Sequence, residues 1–494
     1  MLTSILQNKP HDAVAIKLTD GEFYSYKQLL DLVDDMASKL SSNGVKPGKV
    51  VNIVIDNSIE FLVSFLSVTR CGAIAAPLNP SYTVSEFMFY IEDANSDYLI
   101  VKDNTSVSIS AAKDINLHVI TVGISKSGLN LTDFKGELTG NHDPDPVPDD
   151  AVALFLHTSG TTSQPKGVPL THGNLLASLG NIIDTYNLGE SDTSILVMPL
   201  FHVHGLIGVA LSTLASGGCL VLSQRFSAST FWNIQSNTSA TWYSAVPTIH
   251  KILLDRADLD SAPYQSFRFI RSCSSPLSSQ LLLAVENRFG SPVLEAYGMT
   301  EAAHQMSSNL LPPAKSNPGS VGMPTGVDIS VRDETGIALS HSKLGEVCVK
   351  GPNVMGGYFN NVSANKSAFW GEWFRTGDQG FLNEDQVLTL TGRLKELINR
   401  GGEKISPVEV DQVIASHSAV LEAISFSLPD EKYGESVNAA VVLSEPASES
   451  SIIEFCLNKL AHFKVPDRIF VLDELPKSAT GKIKRRNIAE MFMD

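Results

Sequence analysis

The segment that decides the fold is AVALFLHTSGTTSQPKG, residues 151–167, in which an apolar run passes directly into a loop of glycine, hydroxyl, proline and lysine residues. The apolar run predicts a buried strand that ends near His157. In the loop, glycines let backbone N–H groups turn toward a ligand, hydroxyls supply short donors, and Lys166 adds one mobile positive charge. This mixture predicts a cradle for a polyphosphate, and therefore nucleotide binding.

Spacing excludes two common nucleotide loops. A Walker loop needs GxxxxGK, then Ser or Thr, then a helix, whereas here Gly160 is followed by PKG at 165–167 and by VPL before a helix capped by Thr171. No GxGxxG occurs in the chain, so a dinucleotide-binding fold has no support.

Strands alternate with helices along the chain. Residues 26–45 have the pattern of an amphipathic helix, 50–55 that of a buried strand and 59–70 that of a second helix, which indicates α/β layering. The length of 494 residues exceeds what one hydrophobic core usually supports. The proline-rich acidic segment NHDPDPVPDD, residues 141–150, is expected to separate subdomains.

The character of the sequence changes near residue 390. A glycine pair at 401–402 precedes a helix start, where Ser406, Pro407 and Glu409 form the pattern of a capping box with proline at the first position. The roughly one hundred residues that follow suffice for a small α+β domain. We therefore predict an N-terminal domain, 1–394, of several subdomains with β-sheets flanked by helices, and a C-terminal domain, 395–494.

Charge argues against nucleic acid as a partner. The chain has 37 Lys and Arg against 53 Asp and Glu, a net charge of −16, whereas nucleic-acid-binding proteins usually present a basic face. The local exception is GKIKRR at 481–486, where Arg485 and Arg486 are expected to form a solvated tail.

Cysteine usage and apolar segments bear on location. The five cysteines are scattered, odd in number and without a CxxC pair, which favours a reducing compartment. Proline, glycine and two histidines interrupt the most apolar segment, 195–222, so we expect a buried strand and helix with active-site residues at their junction rather than a membrane span. With no secretory segment at the start and MFMD at the end, the predicted location is cytoplasmic.

Four further motifs follow the loop: EAYGMTE at 295–301, FRTGD at 374–378, TGRLKELINRGGEKISPVEV at 391–410 and PKSATGKIKRR at 476–486. Together and in this order they resemble the adenylate-forming superfamily of acyl-CoA synthetases, luciferases and adenylation domains, over essentially the whole chain. Taken singly, each match has a structural interpretation, such as a turn residue for Asp378. Their joint occurrence favours the family.

The resemblance implies an enzyme that joins a carboxylic acid to AMP and then to a thiol, using ATP, Mg²⁺ and coenzyme A. It assigns the β- and γ-phosphates to Thr158, Ser159, Gly160, Thr161, Thr162 and Lys166. Thr300 would contact the α-phosphate and Glu301 would bind the Mg²⁺. The nucleoside would lie along Tyr297 and Gly298, with its ribose near Asp378 and Arg393.

The resemblance also implies a C-terminal domain that moves. Lys482 would bridge the carboxylate and the α-phosphate, and Lys395 would be the hinge about which the small domain turns. The turn would bring in Gly401, Gly402, Glu403 and Lys404 beside the pantetheine arm of coenzyme A. A simple glycine turn is the alternative for these residues.

Polar residues are expected to border the acid. His202 matches a family position beside the reacting carboxylate that gates thiol entry, with His204 on the same strand-like face. The acid pocket is expected to include His202, His204, Arg271, Ser272, Ser274 and His304. Since a fatty-acid pocket would avoid buried donors without partners, this polarity favours a very short dicarboxylic acid. Arg271 facing outward or paired structurally is the alternative.

The motif segments are similar to those of the plant and fungal oxalate–CoA ligases, a branch that is often peroxisomal. Gly298 stands where that branch is expected to have alanine, with little consequence, and no SKL-type tripeptide ends the chain. Oxalate is therefore the expected acid. The alternatives are a ligase for malonate or an aryl-propenoate such as 4-coumarate, and a catalytically silent nucleotide-binding protein.

Overall fold

The computed structural model describes residues 1–103, 106–125, 128–158, 165–257, 266–314, 317–477 and 485–493. The first part of the chain, up to the proline-rich segment, forms strands β1 (Val14–Leu18), β2 (Phe23–Ser25), β3 (Val50–Val54), β4 (Ile74–Pro77), β5 (Tyr98–Val101), β6 (His118–Ser125), β7 (Gly128–Asp133) and β8 (Gly136–Glu137). Its helices are α1 (Tyr26–Ser42), α2 (Ile59–Arg70), α3 (Val84–Asp93) and α4 (Ser108–Asp114).

The second part carries most of the candidate site. Its strands are β9 (Val152–Thr158), β10 (Lys166–Thr171), β11 (Thr193–Leu196), β12 (Cys219–Leu222), β13 (Trp242–Ala245), β14 (Phe269–Ser272), β15 (Val293–Met299) and β16 (His304–Ser308). Its helices are α5 (His172–Tyr186), α6 (Val203–Gly205), α7 (Ser212–Ser216), α8 (Phe231–Thr238), α9 (Pro247–Arg256) and α10 (Ser279–Phe289). A π-helical turn, Leu206–Leu211, joins α6 to α7, and a 3₁₀ turn, Thr300–Ala302, joins β15 to β16.

The third part contains β17 (Met323–Pro324), β18 (Asp328–Arg332), β19 (Gly345–Lys350), α11 (Val362–Ala368), β20 (Phe369–Trp370), β21 (Trp373–Leu382) and β22 (Leu388–Arg393). The fourth contains β23 (Ile398–Arg400), β24 (Glu403–Ile405), α12 (Pro407–Ala415), β25 (Val420–Asp430), β26 (Gly434–Leu443), α13 (Glu449–Leu457), β27 (Arg468–Val471) and α14 (Arg485–Glu490).

Within the described residues the strands form four sheets. Two are large and mainly parallel, in the orders β17-β16-β15-β14-β13-β11-β12-β1-β2 and β10-β9-β4-β3-β5-β6-β7-β8. The third, β18-β19-β21-β20 with β22 on β21, is antiparallel, and the fourth is β24-β23-β26-β25 with β27 on β26. The predicted α/β fold with a small α+β C-terminal part is confirmed.

Local sequence explains why the early elements form where they do. Ser25 caps α1 in a capping box with Gln28, and the helix buries Leu29, Val33, Met36 and Leu40 at helical spacing. The predicted helix over 26–45 ends at Ser42, since the chain turns at Gly44 with a φ of +96°. The predicted strand over 50–55 is β3, which is buried along its whole length because it lies between two parallel neighbours.

Residues 398–492 supply two hydrophobic clusters of their own, one around Ile398, Val410 and Val437 and the other around Phe426 and Ile488. Ser406 caps α12 with Pro407 at its first position, as predicted, but Glu409 does not complete a capping box and instead binds the ammonium of Lys464 at 2.8 Å. The boundary at 394 and the movement of this part stay predictions.

The apolar segment 195–222 folds back on itself. It runs from β11 through α6, the π turn and α7 to β12, which pairs in parallel with β11. None of the helices in the described ranges has both the length and the apolar character that a membrane span requires.

Candidate active site

Strands β9 and β10 bring together the two ends of the loop that is predicted to hold phosphate, Thr158 and Lys166. Thr158 lies opposite Lys166 in the antiparallel register. The Thr158 hydroxyl is buried and has no hydrogen-bond partner among the described residues. The family resemblance assigns four further residues to the phosphates, and these lie outside the described residues: Ser159, Gly160, Thr161 and Thr162.

Lys166 lies in a region of mixed charge. Burial lowers the pKa of its ammonium, the like charge of Lys395 lowers it further, and the carboxylate of Glu301 acts in the opposite direction. The ammonium lies 4.5 Å from the centre of the Tyr358 ring. The predicted phosphate lysine, hinge lysine and metal-binding glutamate are therefore near one another.

The turn from β15 to β16 holds Thr300 and Glu301 in buried positions. One carboxylate oxygen of Glu301 accepts a hydrogen bond of 2.9 Å from the Tyr358 hydroxyl. The backbone of the turn is held from outside by Asn353, whose amide donates to the carbonyl of Ala302 at 2.8 Å. The turn is thus fixed through side chain and backbone together.

Gly298 is required by close approach of the two strands. A Cβ at this position would lie 1.8 Å from the carbonyl oxygen of His304. Alanine at this position would require the main chain at His304 to shift, so glycine and alanine are not equivalent in this backbone, contrary to expectation.

Tyr297 and Arg393 both contact the buried carboxylate of Asp378. The Tyr297 hydroxyl donates to Oδ2, and the Arg393 guanidinium lies 2.9 Å from Oδ1. Asp378 and Arg393 face each other on the paired strands β21 and β22. The structure thus brings together three of the residues predicted for the nucleoside. Each carboxylate oxygen keeps a second lone pair that a ribose hydroxyl could use.

Arg271 is fully buried on β14, so an outward-facing side chain is ruled out. Its guanidinium donates to the Tyr186 hydroxyl at 3.0 Å, the Gly208 carbonyl at 3.2 Å, and His304 Nε2 and Gln305 Oε1 at 2.8 Å each. All four partners are neutral acceptors, and no carboxylate within the described residues pairs with this cation. Buried charges are normally paired, so the arrangement lacks an anion.

Histidines complete this cluster. Because a guanidinium only donates, His304 accepts through Nε2 and carries its proton on Nδ1. The His204 ring stacks on the His304 ring at 5.3 Å and contacts the hydroxyls of Ser244 at 2.7 Å and Ser274 at 3.0 Å. The structure therefore joins four predicted acid-binding residues: His204, Arg271, Ser274 and His304.

His202 has a different place from the one expected. The chain turns into helix α6 directly after it, and His202 Nδ1 accepts from the backbone N–H of His204 at 3.2 Å. The expectation that the two histidines share a strand-like face is wrong, because His202 caps the helix while His204 lies inside it.

The Ser272 hydroxyl makes no hydrogen bond to the other predicted acid-binding residues that the structure describes. Ser272 follows Arg271 directly in β14, and successive side chains of a strand point to opposite faces of the sheet. Its hydroxyl is buried without a partner within the described ranges, and it lies in register with Glu295 on β15. Burial raises the pKa of Glu295 to about 8. This alternation places Ser272 on the face of β14 opposite to Arg271, and its acid-binding role stays a prediction.

Three residues in or next to the predicted acid-binding cluster (His204, Arg271, Ser274 and His304) have a strained backbone. Ser274, Ala303 and His304 have φ values of +74°, +47° and +103°, a region that residues with a side chain rarely adopt. Such strain persists only where the surrounding structure enforces it, and it is typical of functional sites.

The residues predicted to meet coenzyme A form a tight hairpin. Gly401 and Gly402 are the two loop residues between β23 and β24, with φ values of +61° and +94°, as a two-residue hairpin turn requires. Glu403 and Lys404 are exposed, and the Lys404 ammonium lies 3.5 Å from Glu334. The turn accounts for both glycines, so the pantetheine contact stays a prediction.

Arg485 corrects another expectation. Its guanidinium is partly buried against the carboxylates of Glu396, at 3.0 Å, and Asp411, and also donates to the Ser425 carbonyl. It is not part of a solvated tail, whereas Arg486 is exposed and pairs with Glu490. Lys482 lies outside the described residues.

Sequence reasoning missed Tyr186, Gly208, Gln305 and Tyr358. The first three hold Arg271, and the fourth contacts Lys166 and Glu301. Gln305 follows a predicted residue directly, and that adjacency was a usable signal. The other three come from segments far from the motifs they contact.

Comparison with known proteins agrees with this geometry. Residues 3–359 match the AMP-binding enzyme family and residues 409–482 match the AMP-binding enzyme C-terminal domain. The chain is 47% identical to the oxalate–CoA ligase of Arabidopsis thaliana, covering 100% of this chain and 99% of the relative. It is 44% identical to the oxalate–CoA ligase of Saccharomyces cerevisiae, covering 97% and 94%.

Among solved structures, ATP-bound MatB from Rhodopseudomonas palustris is similar with a TM-score of 0.90 at 29% identity, covering 100% of this chain and 99% of that one. The apo form of the same protein has a TM-score of 0.79 to this chain, with the same coverage of both chains. The overall arrangement of this chain is therefore nearer to that of the ATP-bound form. On the family matches and the full-length relatives, the chain belongs to the AMP-binding enzyme family, within the adenylate-forming superfamily, and is an AMP-forming acid–CoA ligase.

Proposed function

We propose that this protein is an oxalate–CoA ligase. In the first step one oxalate oxygen attacks the α-phosphorus of ATP, and diphosphate leaves to give oxalyl-AMP. In the second step the thiol sulfur of coenzyme A attacks the activated carbonyl carbon, AMP leaves, and the thiol proton is released. The products are oxalyl-CoA, AMP and diphosphate.

The observation that carries the choice of acid is the buried guanidinium of Arg271. Four of its five N–H groups have neutral protein partners, which leaves one N–H on Nη1 for a ligand oxygen. An anion placed there would supply the missing counter-charge through a charge-assisted hydrogen bond. The second carboxylate of oxalate has this chemistry, and both full-length relatives that we compare are named oxalate–CoA ligases.

Hydroxyl and imidazole groups extend the same pocket. His204 and His304 stack beside the guanidinium, and Ser274 reaches His204. We assign His202, at the start of α6, to the mouth of the pocket, where it would border the reacting carboxylate and the incoming thiol. A long apolar chain would leave these groups without partners, which disfavours a fatty acid.

On the nucleotide side, we assign the phosphates to Thr158, Lys166 and Thr300, together with Ser159, Gly160, Thr161 and Thr162. Asp378 and Arg393 would hold the ribose, with Tyr297 and Gly298 along the base. Preorganised donors of this kind stabilise the negative charge that develops when diphosphate leaves.

The residues present fit a Mg²⁺ ion that is bound together with ATP. Within the described part of the chain, no group of three His, Cys, Asp or Glu side chains is arranged to hold a metal. Mg²⁺ in nucleotide sites typically uses one or two carboxylates, phosphate oxygens and water, and Glu301 supplies such a carboxylate. The ion would add positive charge at the phosphates, and Glu301 would fix its place.

The small domain is assigned the remaining roles. Lys482 would neutralise charge between the carboxylate and the α-phosphate in the first step. Rotation at Lys395 would then withdraw it and place Gly401, Gly402, Glu403 and Lys404 beside coenzyme A. The greater similarity to the ATP-bound relative is consistent with the arrangement of the first step.

The experiment that tests the proposal is an acid panel. Purified protein is incubated with ATP, Mg²⁺ and coenzyme A plus oxalate, malonate, 4-coumarate or acetate, and AMP and CoA thioester are both measured. Oxalate should give the highest kcat/KM. If oxalate releases no AMP while another acid does, the assignment of oxalate is wrong. We also propose a cytoplasmic location, in agreement with five buried, unpaired cysteines; imaging of a tagged chain tests it.

A further inference from the structure

Tyr358 is the residue through which two opposite charges of the nucleotide site are connected. Its ring face lies 4.5 Å from the Lys166 ammonium, and its hydroxyl donates to Glu301 Oε1 at 2.9 Å. A ring face attracts a cation and a phenol hydroxyl is a good donor to a carboxylate. The Tyr358 side chain therefore contacts both charged groups, the ammonium through its ring and the carboxylate through its hydroxyl.

Lys166 and Glu301 do not form an ion pair with each other. Glu301 acts to raise the pKa of Lys166, so the groups are close enough to interact. Nevertheless, within the described residues they form no ion pair at 4.0 Å or less, and both contact the tyrosine instead. A direct ion pair here would occupy the very groups that ATP and its cation need.

Hydrogen bonds to its backbone hold Tyr358 in place. The Asn365 side chain accepts from the Tyr358 N–H at 2.7 Å and donates to the Tyr358 carbonyl at 2.9 Å, so one amide clamps both main-chain groups. On the next residue, the N–H of Phe359 donates to the Gly167 carbonyl at 2.9 Å, which ties this segment to β10 beside Lys166.

The same segment is also hydrogen-bonded to the backbone of Glu301. The N–H of Met355 donates to the backbone carbonyl of Glu301 at 2.8 Å. The chain from 355 to 359 thus bridges the elements that carry Lys166 and Glu301, with Tyr358 between its two attachment points. Tyr358 is therefore placed to keep Lys166 and Glu301 apart.

We propose that Tyr358 is a positioning residue that holds Lys166 and Glu301 apart, so that the ammonium stays available to phosphate and the carboxylate to a divalent cation. The inference rests on the proposed function of this site. The ring and the hydroxyl have separate tasks, because the ring contacts Lys166 and the hydroxyl contacts Glu301.

Calorimetric binding of ATP, with and without Mg²⁺, tests the proposal directly. In Y358F the ring remains and the hydroxyl is lost, so affinity with Mg²⁺ should fall about tenfold, while affinity without Mg²⁺ stays within about twofold. In Y358L the ring is lost too, so affinity without Mg²⁺ should also fall, by about three- to tenfold. In a K166A background, Y358L should have no further effect on metal-free ATP.

Y82F, which changes a half-buried tyrosine in a different cluster, is the matched control and should bind ATP as wild type does. The proposal is overturned if Y358F and Y358L both bind like Y82F. It is also overturned if Y358F loses equal affinity with and without Mg²⁺, since a general structural defect would not distinguish the two. A wild-type protein that binds no ATP would instead contradict the proposed function.

Discussion

Gly208 offers the sharpest test of the acid pocket. It lies in the π-helical turn Leu206–Leu211, and its carbonyl accepts from Arg271. A Cβ built at Gly208 would lie 2.4 Å from His304 Nε2 and 3.0 Å from Arg271 Nη1. Since ordinary contact begins at 3.4 Å, the change G208A requires His304 to move by about 1 Å, the difference between 3.4 and 2.4 Å.

The consequence for catalysis follows from that displacement. Moving His304 by about 1 Å breaks its hydrogen bond of 2.8 Å to Arg271 and shifts both groups away from the acid. Misplacement of this size typically costs about 100-fold in rate. Overpacking costs about 1–3 kcal/mol of stability, which is less than the usual total of about 5–15 kcal/mol, so the variant should fold.

The assay compares G208A with G180A. Gly180 lies within α5, and no atom lies within 4 Å of the place that a Cβ would take, so alanine there should leave activity unchanged and add up to about 1 kcal/mol of stability. For G208A, kcat/KM for oxalate should fall about 100-fold, while ATP affinity and the diphosphate site remain intact. Wild-type kcat/KM for oxalate, or an equal loss of ATP affinity, would refute the assigned pocket.

Three further changes follow from buried charges. R271M should lower kcat/KM for oxalate by a factor equivalent to about 2–5 kcal/mol, measured by thioester formation, because the acid loses its cation. Unchanged kcat/KM, or lost ATP affinity, would contradict this. Burial raises the pKa of Glu295 from 4.5 to about 8, so the folded state keeps a proton that the unfolded state loses, and wild-type stability should fall as pH rises from about 4.5 to 8. E295Q should flatten this slope of stability against pH in denaturant titrations. An unchanged slope would show that another group causes it. R485A should cost about 1.5–3 kcal/mol of unfolding free energy, because two partly buried carboxylates lose their charge-assisted hydrogen bonds. Exposed R486A should stay within about 0.5 kcal/mol, and equal effects of the two changes would contradict the paired position of Arg485.

Sequence predicted the parts of the site that lie in short motifs. Thr300 and Glu301 are adjacent in one motif, and the fold pairs Asp378 with Arg393, which come from two neighbouring motifs. The roles assigned to these four residues stay predictions. Tyr358 could not be predicted in the same way, since it lies 57 residues from Glu301 and its role depends on how a loop crosses the turn.

Ser272 and Arg485 differ in how much the sequence alone could show about them. For Ser272, the alternation of side chains along a strand already separates it from Arg271, which it directly follows. The view of Arg485 as solvated rested on a local run of basic residues. Its partners, Glu396 and Asp411, are 89 and 74 residues away, so only the folded domain shows that the cation is partly buried and paired.

The turn from β15 to β16 links the two halves of the proposed reaction. Glu301 on the nucleotide side and His304 on the acid side are three residues apart, and strained φ values at Ala303 and His304 redirect the chain between them. We infer that the strain is retained because it sets the acid and the phosphate at a fixed separation, which lowers the entropic cost of bringing two anions together. On this view, Gly298 is the glycine that permits the strands to close over that turn, since any Cβ there would meet the backbone of His304.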